Sequence, residues 1–149
     1  MNVDMNKEFE MKPIVNADPH SKIALQGFDP VAFHTDGKPT KGNPAISAKH
    51  LGYRYIFSSE VNKAAFEEQS HKYLPAYGGY CAYGVAIDVL FPVEIDTWEI
   101  IDGRLVLQFS QEVKQKFGED TEENIRKANE NWPRLESAAA HPDQRDHDQ

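Results

Sequence analysis

Cys81 is the only cysteine of the chain, and it sits within Gly78-Gly79-Tyr80-Cys81-Ala82-Tyr83-Gly84. Glycines accept positive φ at little steric cost and let backbone N–H groups approach whatever such a turn surrounds. Three chemistries fit a thiol in this setting: a thiolate nucleophile, a soft-metal ligand, or a sulfur beside a small-molecule pocket. Against them stands the common fate of an unpaired cysteine, burial as a small hydrophobe.

The neighbouring residues narrow these choices. A phosphatase loop needs an arginine at a fixed place after its nucleophile, and Ile87 stands there. A dithiol motif needs a second cysteine where the chain has Gly84. A Cys–His pair stays open, with His50 and His71 as candidate partners and Asp88 as an acidic neighbour in sequence. The same three side chains, Cys81, His50 and His71, are the candidate ligands for copper or zinc, although nothing in the sequence requires a cofactor. Met1, Met5 and Met11 are remote in sequence from the cysteine, so a copper site would rest on one sulfur unless a homodimer brought two together.

His20 and His34 also occur singly, without the HxxxH or HExxH spacing that sets two ligands on one helical face. His141 and His147, with Asp143 and Asp146, form a mixed-charge terminal stretch that reads as solvated. Tyr53, Tyr55, Tyr73, Tyr77, Tyr80 and Tyr83 cluster around the cysteine motif, and most read as core. Convergence of some hydroxyls would make a mostly apolar pocket with few polar groups, the usual form of a small-ligand site. The candidate ligand-binding set is Tyr55, Tyr77, Gly78, Gly79, Tyr80, Cys81, Tyr83 and Gly84.

These residues need a frame. With 149 residues, 40% of them hydrophobic and 27% charged, the chain has the length and balance of one globular domain. A net charge of −8 without any basic run argues against nucleic acid and anionic membrane surfaces as partners. A small molecule or a protein is the expected partner. No segment reads as a membrane span and the first ten residues lack the apolar core of a signal peptide. The chain as given therefore reads as cytoplasmic, or as periplasmic or exported if a leader has been removed.

Residues 1–20 read as a flexible arm or an extended strap, with the ordered domain beginning near Ile23. Asp29-Pro30 predicts a helical turn over Val31-Ala32-Phe33, ended at Asp36-Gly37. Residues 40–44 read as an extended connection to Ile46. After the turn Leu51-Gly52, Tyr53–Phe57 has the aromatic and β-branched composition of a strand. Ser58-Ser59 then caps a helix with Val61, Ala65 and Phe66 on one face.

Asp102-Gly103 between Trp98–Ile101 and Arg104–Phe109 predicts a two-residue hairpin over residues 98–109. Ser110 caps a helix to about Phe117, and Asp120 with Glu123 starts the last one. That helix pairs Glu122 with Arg126 and Glu123 with Lys127, presents Ile125, Ala128 and Trp132, and closes at Pro133. The sum is an α+β fold: a small single domain over 21–135 with short antiparallel strands and packed helices, followed by a disordered tail over 136–149.

Several separated segments resemble YHS-domain proteins, in particular the bacterial stand-alone group with a glycine-tyrosine-cysteine motif. They are Gly27–Phe33, Tyr55–Phe66, His71–Leu74, Tyr77–Gly84 and Asn131–Pro133, covering roughly Ile23 to Leu135. The resemblance implies a YHS-like fold. In metal-associated members it also implies thiolates at three positions, which here are Ala32, Ser58 and Asn62. Those residues are poor ligands for thiolate-loving metals, and Cys81 matches none of the three positions. The leading expectation is a non-catalytic binding module for a small ligand or partner. A metal-handling protein using Cys81 with a histidine, and a thiol-based redox sensor or enzyme, are the alternatives.

Overall fold

The computed structural model describes residues 14–140. Their fold is α+β, two small antiparallel sheets with helices packed around them, as the sequence predicts. His141, Asp143, Asp146 and His147 lie outside the described residues, as do residues 1–13.

The first sheet pairs β1 (Asn43–His50) with β2 (Tyr53–Phe57). The stretch 40–44 read as an extended connection thus runs into a strand, which begins at Asn43. Leu51 and Gly52 form its two-residue turn with φ of 50° and 92°. Leucine rarely adopts positive φ, which hid this hairpin from a sequence reading. The second sheet pairs β3 (Glu94–Ile101) with β4 (Arg104–Gln108). Its Asp102-Gly103 turn has φ of 51° and 80°, positive at both central residues as expected.

Around the sheets lie α1 (Ala32–Thr35), α2 (Glu60–Glu68), α3 (Ser70–Tyr73), α4 (Ala82–Ala86), α5 (Gln111–Gly118) and α6 (Thr121–Ala140). Ser59 and Ser110 cap α2 and α5, accepting from the N–H groups of Asn62 and Val113. Phe66 of α2 is buried between Tyr55 and Phe57, whereas Val61 is 77% exposed. Contrary to the expectation above, Val61 does not share the buried face: five residues of helix turn it well away from Phe66.

α6 also departs from expectation, running through Pro133 to Ala140. A proline inside a helix removes one backbone bond and costs about 3 kcal/mol. Here tertiary contacts hold the helix on both sides: Trp132 and Leu135 pack on the core, and Asn131 donates to the Val85 and Ala86 carbonyls at the end of α4. The boundary expected after residue 135 thus falls inside a helix. Arg126 pairs with Glu123 and Glu130 rather than with Glu122.

Three apolar clusters form the core. One joins α4, α5, α6 and Val106 of β4. A second joins Tyr55, Phe57, Phe66 and Tyr73, and a third joins Phe33 to Leu105, Leu107 and Trp98. Residues 14–17 cross the body as a strap, with Asn16 N–H donating to the Gly78 carbonyl at 2.8 Å and Ala17 bridging Ala24.

Candidate functional site

The chain between α3 and α4 turns tightly through Ala76–Gly79, where Tyr77, Gly78 and Gly79 have φ of 56°, 60° and 82°. Gly78 is required for space as well as angle. A Cβ there would come 2.5 Å from the Ile14 carbonyl oxygen and 3.2 Å from the Trp132 ring. This turn, the 14–17 strap and α6 meet one edge of the first hairpin.

Between them is a cavity of about 300 Å³. Tyr55, Tyr77 and Trp132 supply aromatic wall, Leu74 and Pro75 aliphatic wall, and Gly78 the close backbone. His50, His71, Arg104 and Glu136 supply the polar groups. His50 reaches it from the end of β1, where its ring meets Phe66 edge-on with centroids 6.0 Å apart. Tyr77 donates its hydroxyl to Asn129 Oδ1 at 2.8 Å, and burial pushes its ionisation upward. Burial also pushes the Glu136 carboxyl up, opposed by the nearby Ile14 backbone. Among the described residues, no carboxylate forms an ion pair with Arg104.

The cavity gathers Tyr55, Tyr77, Gly78, His50 and His71 from the candidates named on sequence grounds, and leaves out Gly79, Tyr80, Cys81, Tyr83 and Gly84. Tyr80 is half-buried with its ring beside Trp132, at 6.4 Å between centroids. Tyr83 packs on the helical core. Gly84 is packed so closely that a Cβ would lie 2.8 Å from the Val89 carbonyl oxygen and 2.9 Å from the Phe91 ring.

Cys81 is fully buried. Its sulfur accepts from the Gly84 N–H at 3.4 Å and the Phe109 N–H at 3.2 Å, and its thiol donates to Gln108 Oε1 at 3.4 Å. Its backbone bridges Leu107 and donates to the Phe91 carbonyl. Cys81 therefore caps α4 and ties it to β4. Burial pushes the thiol's ionisation up, only partly countered by the N–H groups facing it. Gln108 Oε1 also accepts the Tyr83 N–H at 3.0 Å, and its buried Nε2 has no partner among the described residues. The histidines paired with Cys81 on sequence grounds thus stand on a cavity that the sulfur does not line. No three His, Cys, Asp or Glu side chains group as metal ligands among the described residues.

A second polar constellation emerges at Asp29, which is fully buried. Oδ1 accepts from the Val31 and Ala32 N–H groups at 2.8 and 3.3 Å. Oδ2 accepts from Ser58 N–H, Ser58 Oγ and Asn62 Nδ2, each at 2.8 Å. Positions 32, 58 and 62, where the resemblance places thiolates in metal-associated proteins, so meet around one carboxylate. The sequence showed Asp29 as a helix cap; its reach to residues 58 and 62 depends on the fold bringing α1 against the start of α2.

No family model matches the chain, and neither a curated protein nor a solved structure matches it. What the site can do follows from its own geometry. The cavity is walled mainly by aromatic and aliphatic groups, while the cysteine turn and the Asp29 cluster hold secondary structure together.

Proposed function

We propose that the protein is a non-catalytic, YHS-type binding module for a small organic ligand, which enters the cavity between the first hairpin, the 76–79 turn and α6. The observation that carries this reading is the convergence of Tyr55, Tyr77, Trp132, His50 and His71, drawn from five separate elements, on one space of about 300 Å³. That volume lies at the small end of ligand pockets, and the lining has their usual character. The saturated sulfur of Cys81 supports a structural rather than a reactive thiol. The metal-handling and redox alternatives each need that sulfur accessible or beside an imidazole, and no observation favours either.

Ligand-detected NMR with a set of one- and two-ring fragments tests the reading. Fragments should bind, and His71→Trp, which puts bulk at the cavity wall from an exposed position, should abolish binding without altering the fold. Absence of any binder, or binding indifferent to that substitution, overturns it. Stoichiometric copper or zinc in untagged protein, lost on Cys81→Ser, would establish the metal reading instead.

A further inference from the structure

We infer that the ligand is a small aromatic acid, its ring held against Tyr77 and Trp132 and its carboxylate received by Arg104. This rests on the cavity being a ligand site and adds the charge of what fills it. Acidic residues outnumber lysine and arginine in this chain, 24 to 16, whereas the cavity wall carries one of each sign. Among the described residues these are Arg104 and Glu136, with His50 and His71 also on the wall.

The two charged groups on the wall are not equivalent. Glu136 is half-buried, and burial pushes its carboxyl ionisation upward. Arg104 is exposed at the start of β4, held at the cavity by the Asp102-Gly103 turn, and no carboxylate of the described residues pairs with it. Guanidinium stays charged and presents a planar fork that matches a carboxylate through two parallel N–H···O bonds. A cationic ligand would meet Arg104 with repulsion, and a neutral one would leave that fork to water. The aromatic wall sets the other half of the ligand, since tyrosine and tryptophan faces favour a flat ring in offset or edge contact. At about 30 Å³ per water, the space equals about ten waters, enough for one ring with a short acidic chain.

Three probes of one shape and different charge test this: phenylpropionate, phenylpropanol and phenylpropylamine, each titrated into the full chain while amide and indole N–H signals are followed by NMR. The expected result is that phenylpropionate shifts the signals of Tyr77, Trp132 and Arg104 and binds at least about tenfold tighter than the alcohol or the amine, the worth of a charge-assisted pair. Arg104→Gln should reduce that preference to within about twofold, and Arg104→Lys should keep part of it. Equal or tighter binding of the alcohol or amine at these signals refutes the acid and leaves the cavity reading standing. Failure of all three to shift them refutes the acid too, and the fragment set with His71→Trp then decides the cavity separately.

Discussion

Replacing Cys81 with alanine removes a sulfur that three groups use at once. The Gly84 N–H, buried at the start of α4, loses its acceptor. Leaving such a group unsatisfied costs about 1–3 kcal/mol. The Phe109 N–H loses its acceptor as well, at a smaller cost because that residue is 47% exposed. Removing a buried group about the size of a methylene adds about 0.8 kcal/mol. The sum is a loss of about 2–4 kcal/mol, a large part of the roughly 5–15 kcal/mol that holds a domain of this kind. Urea unfolding followed by circular dichroism should show it as a midpoint lowered by about 1–2 M with unchanged slope, at slopes of about 1–3 kcal/mol/M. Cys81→Ser keeps an acceptor and a donor and should fall between alanine and the parent.

The same thiol gives the pH dependence a sign. Its ionisation is pushed up in the fold, so the neutral thiol is favoured there and its contribution is complete below the ordinary thiol range. That contribution is lost as pH rises through the folded value, and Cys81→Ala should flatten this alkaline decline. Cys81→Ala within about 0.5 kcal/mol of the parent, a difference typical of inconsequential surface changes, would refute the role assigned to the sulfur. So would alkylation of native Cys81 at neutral pH as fast as that of a free thiol.

Asp29→Asn puts an amide where one oxygen now accepts at least two donors, so about 2–4 kcal/mol should be lost in the same urea assay, with Ser58→Ala costing less because Ser58 is exposed. Gly78→Ala must push the Ile14 carbonyl away and hold positive φ, so it should destabilise by more than 1 kcal/mol and free the 14–17 strap, seen as faster hydrogen exchange at Asn16. Leu51→Gly, at an exposed residue with φ of 50°, should leave stability unchanged or raise it by up to about 1 kcal/mol in thermal unfolding, and a clear loss would contradict the turn geometry.

Local chemistry carried much of the fold into the sequence. Asp102-Gly103 announced its hairpin because both residues tolerate positive φ, and Ser59 and Ser110 announced helix starts because their hydroxyls accept orphan N–H groups. The misses arise where tertiary contacts override local preference. The Leu51-Gly52 turn places a leucine at unfavourable φ, and α6 continues past Pro133 because Asn131, Trp132 and Leu135 anchor it. For the site, residue type identified five of the thirteen residues of the cavity wall, Tyr55, Tyr77, Gly78, His50 and His71. Arg104 and Glu136 gave no signal, because a lone surface-type charge acquires meaning only from the space it faces. Proximity in sequence linked Cys81 to that site, while the turn at Tyr77–Gly79 sends the sulfur toward β4 and away from the cavity wall.

On the proposed function, a ligand enters the 300 Å³ cavity and not the cysteine turn. Intermolecular nuclear Overhauser contacts between a bound fragment and the protein test it most directly. Contacts are expected to the rings of Tyr55, Tyr77 and Trp132, and none to Phe91 or Phe109 beside Cys81. Contacts confined to Phe91, Phe109 or the Cys81 turn would contradict it.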